Sequence, residues 1–255
     1  MAHAGALAAL PSDSFLDGMP RPEERLIVAL DVPSVDEARK IVADLDGLVS
    51  FFKVGLHLQM RAGIEGLIDS LTDAGKKVFL DYKFADIGET MRAGVAGAAE
   101  RGISFLTIQG SSDLTKDLVK AATSGKRNGL PKILFVTFLT SLDERDAQAV
   151  YGKTVEEIVL QRARQALEWG CDGVIASGRE ARRIKDEIGS DFLVISPGIR
   201  PGDDAMNDQK RIVTPRQAIE AGSDYLVVGR PIVKSDNRKA KAEAIIREIR
   251  EALGD

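Results

Sequence analysis

From Arg25 onward the chain alternates between two textures. Short, continuous apolar runs end near Asp31 (LIVALD), Val54 (FFKV), Tyr82 (VFLDY), Gln109 (FLTIQ), Thr137 (ILFVT), Ala176 (GVIA), Ser196 (FLVIS) and Val228 (YLVV). Most lack period-two alternation, as strands covered on both faces require, and that burial belongs to parallel sheets. The stretches between them carry helix signals. Ser34-Val-Asp-Glu37, Thr154-Val-Glu-Glu157 and Thr214-Pro-Arg-Gln217 have capping-box spacing, and Pro215 sits at a first helical position where its missing N–H costs nothing. Gly102 and Gly170 follow helical patterns, where a left-handed cap favours glycine.

Eight strands alternating with helices predict a single-domain α/β fold, a closed (β/α)8 TIM barrel over residues 25–255, with a flexible leader over residues 1–24. An open doubly wound sheet is the competing architecture. It would normally carry a glycine-rich turn after its first strand, whereas ALDVPS has none. The connections 139–153 and 198–211 are long enough to read as lids.

In a barrel, catalytic groups come from the C-terminal ends of several strands. Those ends carry Asp31 on the first, Lys53 on the second, Asp81 and Lys83 on the third, and Arg200 and Arg230 just past the seventh and eighth. Strand alternation puts Asp81 and Lys83 on one face, with Tyr82 on the other. Such charges at the end of a buried element are costly unless paired or used. A strand-end ion pair without chemistry is the alternative reading. Lys53 reads as an ammonium held between the carboxylates of Asp31 and Asp81, which favours its charged form; a lysine snorkelling to solvent is the alternative. Ser196-Pro-Gly-Ile-Arg200 and Val228-Gly-Arg230-Pro231 stand where barrels commonly bind phosphate. There glycine admits the ligand to backbone N–H groups and arginine supplies charge.

Composition narrows the chemistry. The 255 residues carry a net charge of −4, so no global basic field recruits nucleic acid or an anionic membrane. Cys171 is the single cysteine, and His3 and His57 are the only histidines, which argues against disulfides, thiolate metal clusters, multi-histidine zinc sites and a Ser-His-Asp triad. Proton work falls to lysines and carboxylates. No stretch approaches the length of a membrane span, and the start lacks the basic region of a secretion signal, so a cytoplasmic protein is the expectation.

The chain from about Arg25 to its C-terminus resembles the orotidine 5′-monophosphate decarboxylase family. The resemblance rests on Asp81-x-Lys83-x-x-Asp86-Ile87 with Thr90, on Ala29-Leu-Asp31, Phe52-Lys53-Val-Gly55 and Leu139-Thr-Ser141, and on Pro197-Gly-Ile-Arg200 with Gln209 and Val228-Gly-Arg230-Pro231, in the family's order. It implies a homodimeric barrel that decarboxylates orotidine 5′-monophosphate to UMP without metal or cofactor. Lys53, Asp81, Lys83 and Asp86 would form the charged array at the reacting carbon, with Asp86, Ile87 and Thr90 entering from the partner subunit. Asp31 would contact ribose, Thr140 or Ser141 the pyrimidine, and Gln209, Gly229 and Arg230 the phosphate. Arg200 would belong to the closing loop around Gln209. The chain departs from the family at Ile108-Gln109, where a Val-His pair is usual, and this puts local support of the pocket in question.

Two other readings compete. Magnesium-dependent sugar-phosphate decarboxylases and aldolases of the same superfamily share the Asp-x-Lys-x-x-Asp strand, but they need an acidic metal ligand where this chain has Lys53. A non-catalytic phosphate-ligand binding barrel would keep Arg200 and Arg230 but has no use for the charged array.

Overall fold

The computed structural model describes residues 20–110, 115–202 and 211–255. Eight parallel strands close into a barrel in sequence order. They are β1 (Leu26–Ala29), β2 (Phe51–Gly55), β3 (Lys77–Phe84), β4 (Phe105–Ile108), β5 (Lys132–Val136), β6 (Gly173–Ile175), β7 (Leu193–Ser196) and β8 (Tyr225–Val228). Each predicted apolar run overlaps one of them. The first half of the helical layer is α1 (Val35–Asp44), α2 (Leu56–Gln59), α3 (Ile64–Asp73), α4 (Gly88–Glu100) and α5 (Thr115–Ser124). The second half is α6 (Glu144–Tyr151), α7 (Val155–Glu168), α8 (Ala181–Ile188), α9 (Pro215–Glu220), α10 (Arg230–Val233) and α11 (Arg238–Leu253). None of the described helices is long and apolar enough to cross a membrane.

Helix ends follow the capping chemistry. Thr154 and Thr214 form complete boxes with Glu157 and Gln217, while Ser34 caps α1 by accepting the Glu37 N–H at 3.2 Å. Gly102 and Gly170 adopt φ of 70° and 90° just beyond their helices, where a Cβ would be strained.

Two apolar layers result. One lies between the strands and the helices. The other fills the barrel itself, with Ile27, Phe51, Phe79, Phe105, Leu134, Ile195 and Tyr225 turned to the axis. Phe51 meets Phe105 at 4.9 Å between ring centroids and Phe105 meets Tyr225 at 5.1 Å, both edge to face. Such pairs add about 0.5–1.5 kcal/mol each beyond area burial. They make a floor below the strands' C-terminal ends.

The opposite end is stapled by aspartates. Asp172, just before β6, accepts the Ile133 N–H of β5 at 2.7 Å, and Asp224, just before β8, accepts the Val194 N–H of β7 at 2.7 Å. Lys126 and Lys185 neutralise them, each at 2.7 Å. Nearby, the short turn Pro22–Arg25 straddles the boundary expected at residue 24, and Arg25 donates to the Asp224 carbonyl at 3.3 Å.

Two elements differ from the sequence pattern. The third strand runs past Tyr82 to Phe84, and its register shifts: Leu80 pairs with Leu106 but Phe84 with Ile108. Lys83 lies in this bulge at φ 51°, a left-handed conformation costing a residue with a side chain about 1–2 kcal/mol. The connection 139–153 is not an open lid. It holds α6, whose start is fixed by a reciprocal capping box between Asp143 and Asp146. The other long connection is tied at both ends by the Ile199–Val213 bridge and by the Arg200 N–H donating to the Val213 carbonyl at 3.0 Å. Residues 203–210, Gln209 among them, lie outside the described residues.

Candidate active site

One step up from the aromatic floor, strand alternation turns a second ring of side chains to the axis. Lys53 follows Phe51, Asp81 follows Phe79, Thr107 follows Phe105 and Val136 follows Leu134. Lys53, Asp81 and Val136 open into a cavity of about 540 Å³ at the C-terminal ends of the strands, while Thr107 is fully buried beside them. That volume suits a small-molecule ligand.

The cavity's deep side is a row of alternating charge. Lys53 Nζ lies 3.0 Å from Asp31 Oδ1 and 3.4 Å from Asp81 Oδ2, and Asp81 Oδ1 lies 2.8 Å from Lys83 Nζ. Lys53 is only 7% exposed, so its ammonium depends on these carboxylates. Burial opposes its charge, but Asp31 and Asp81 outweigh that and hold its pKa above the usual lysine value. Burial likewise pushes Asp81 upward. Lys53 and Lys83, with hydrogen bonds from Lys83 and Thr107, bring its carboxyl below the usual range. Gly55 lets the row close up, since a Cβ there would come within 3.0 Å of Lys53 Nζ and 3.2 Å of Asp31 Oδ1.

Across the cavity stand the phosphate candidates. Arg230 opens α10 directly after Gly229, and Arg200 follows Pro197 and Gly198 beyond β7; all of them line the space. Arg200 is buried, one guanidinium nitrogen donating to the Ile199 carbonyl at 2.8 Å. Thr140 and Ser141, after β5, line the cavity with Phe138 and Leu139. The fold therefore gathers Asp31, Lys53, Asp81, Lys83, Thr140, Ser141, Arg200, Gly229 and Arg230 around one cavity.

Other expected residues lie elsewhere. Asp86, Ile87 and Thr90 are exposed at the start of α4, outside the cavity lining, with the Asp86 carboxylate accepting the Ile87 N–H at 2.7 Å. Gln109 is exposed too, and its backbone N–H donates to the Phe84 carbonyl at 3.0 Å. It does not line the cavity.

The structure also brings in residues given no role from the sequence. Thr107 touches both Asp81 and the Lys83 backbone. Lys234 lines the cavity with Arg230, and His57 Nδ1 stands 4.0 Å from Asp31. Behind Phe138, Arg211 packs over its ring at 5.5 Å and pairs with buried Glu180 at 2.8 Å. Counting two residues on from Phe105 would have flagged Thr107 as axis-facing. No comparable signal marks the Arg211–Glu180 pair. Among the described residues no group of three His, Cys, Asp or Glu side chains is placed to hold a metal ion.

Comparison with known proteins agrees with this geometry. Residues 24–245 match the family described as orotidine 5'-phosphate decarboxylase / HUMPS. An orotidine 5'-phosphate decarboxylase of Nitrobacter winogradskyi is 49% identical over 231 residues, 90% of this chain and 94% of that one. One from Afipia carboxidovorans is 48% identical, covering 89% of this chain and 95% of its own. The crystal structure of orotidine 5'-phosphate decarboxylase from Lactobacillus acidophilus superposes with a TM-score of 0.74 at 38% identity, covering 89% of this chain and 99% of that one. With nearly the whole barrel matched in sequence and in fold, the chain belongs to the orotidine 5'-phosphate decarboxylase / HUMPS family.

Proposed function

We infer that this protein converts orotidine 5′-monophosphate to UMP and CO2, the last step of making UMP. The observation that carries the reading is the Asp31–Lys53–Asp81–Lys83 row at the cavity's deep side, facing Arg200 and Arg230. The bond from C6 to the carboxylate breaks, CO2 departs, and the electron pair stays on C6. That pair is not conjugated with the ring carbonyls, so charge must be stabilised directly. The Lys83 ammonium does so through space and then delivers its proton to C6. Asp81 holds Lys83 in place and faces the departing carboxylate. Arg230, Gly229, Gln209 and Arg200 take the phosphate, whose binding supports closure and exclusion of water. Asp31 takes the ribose, and Thr140 or Ser141 the pyrimidine edge.

The magnesium-dependent branch of the superfamily fits less well. Lys53 puts a positive charge between Asp31 and Asp81, where a divalent cation would be repelled.

The working unit in this reading is a homodimer. Asp86, Ile87 and Thr90 serve the partner's site, and their exposure beside the cavity mouth supports that assignment. Leu56, Met60 and Ile87, 63%, 90% and 69% exposed, supply apolar surface for the contact. The test is loss of orotidine 5′-monophosphate absorbance with and without a chelator. Turnover indifferent to chelation is expected. The Lys83→Ala variant should lose about four orders of magnitude in kcat while still binding UMP. Near-normal kcat in that variant would remove Lys83 from its role.

A further inference from the structure

The fully buried Thr107 makes two contacts inside the charged row. Its hydroxyl donates to Asp81 Oδ1 at 3.0 Å and accepts the Lys83 backbone N–H at 3.0 Å. One rotamer therefore ties together a carboxylate and the backbone of the residue paired with it. The backbone contact matters because Lys83 sits in the β3 bulge at φ 51°, where the regular ladder to β4 is interrupted. A strained residue stays in place only if its surroundings over-determine it. The carboxylate contact matters because Asp81 Oδ1 is also the oxygen that receives Lys83 Nζ at 2.8 Å. Thr107 thus fixes both ends of the Lys83 side chain: the main chain from which it springs and the anion that aims its ammonium.

We propose that Thr107 is a positioning residue for the decarboxylation, setting where the Lys83 ammonium stands relative to the reacting carbon. The proposal rests on the decarboxylase reading. It adds a contribution from β4, a strand to which no site residue had been assigned. Thr107 does not touch substrate. It acts through Asp81 and Lys83, and a shift of these groups by about an ångström is enough to cost roughly 100-fold in rate.

The hydroxyl can be removed with its shape nearly kept in Thr107→Val, removed without added bulk in Thr107→Ala, and kept without the methyl in Thr107→Ser. For the Val and Ala variants we expect kcat to fall about 100-fold, with KM and UMP affinity close to wild type. The Ser variant should recover most of the loss. The acid limb of the kcat profile should move to higher pH in the Val and Ala variants, because Asp81 loses a donor that favours its ionised form. The charged groups around Asp81 are Asp31 from the β1 end, Lys53 from β2 and Lys83 from its own strand, with His57 beyond Asp31. All of them are retained in the three variants, so the displacement reports the lost Thr107 hydroxyl together with the Lys83 shift that its loss causes. Kinetics of the Val or Ala variant within about a factor of two of wild type would overturn the proposal. So would a Ser variant as poor as Val, or a loss shared equally by kcat and UMP binding, which would mark Thr107 as packing alone. A wild-type protein that fails to turn over orotidine 5′-monophosphate would instead remove the reading on which the proposal rests.

Discussion

The charged row works as a unit because each member is held by a neighbour of opposite sign. Asp81 shows this best, since one oxygen faces Lys53 and the other faces Lys83 and Thr107. Replacing it with asparagine leaves two ammonium groups without their shared anion. Asp81→Asn should therefore lose about 3 kcal/mol of stability near neutral pH. The wild-type carboxyl is depressed, so its stabilisation is present above its unfolded pKa of about 3.9 and is lost as pH falls through the folded value. Denaturation midpoints measured below about pH 5 should fall more steeply in wild type than in the variant; equal slopes would deny Asp81 its role in acid stability. Asp31, Lys53, Asp81 and Lys83 were legible in the sequence because charges closing apolar runs are conspicuous. Thr107 was not. In FLTIQ a threonine reads as an ordinary β-branched strand former, and only the partner strand shows what its hydroxyl meets.

At the level of elements, the eight strands could be read because strands buried on both faces have little choice but continuous apolar sequence. Boundaries were less legible where tertiary contacts decide them. The extension of β3 past Tyr82 to Phe84 rests on the bulge against β4, and the charge of Lys83 breaks the apolar run that would have hinted at it. Helix α6 was hidden because Ala147 is its one buried residue, so almost no apolar stripe betrays it. The aspartate staples are a sharper case, because Asp172 and Asp224 look like turn residues yet each binds a neighbouring strand's N–H. Asp224→Ala would leave that N–H without its acceptor and the Lys185 ammonium, which keeps the Ser190 and Phe192 carbonyls, without its counter-ion, and should cost about 3 kcal/mol of stability. Lying at the barrel end remote from the cavity, it should leave KM unchanged. Urea unfolding together with steady-state kinetics checks both halves of this expectation.

For the whole molecule, the decisive question is whether Asp86 serves its own chain or its partner's. In the shared-site reading, Lys83→Ala and Asp86→Ala dimers are each nearly inactive, because every site lacks one group. A mixed dimer contains one site lacking both and one lacking neither. Co-refolding equal amounts should then restore up to about a quarter of wild-type activity, since half of randomly assorted dimers are mixed. Verified heterodimers without recovery would return Asp86 to its own chain or show that the two sites cannot act independently. The aromatic floor has a bearing on traffic that applies to either chain. With Phe51, Phe79, Phe105 and Tyr225 filling the barrel below Lys53, the cavity is a cul-de-sac rather than a tunnel. Substrate arrives and both products depart through the same doorway. In the proposed reaction CO2, freed beside the charged row, would have to leave past the nucleotide. Lys83, too, would regain its proton from the doorway side, so the hydrogen it places on C6 would come from water entering there.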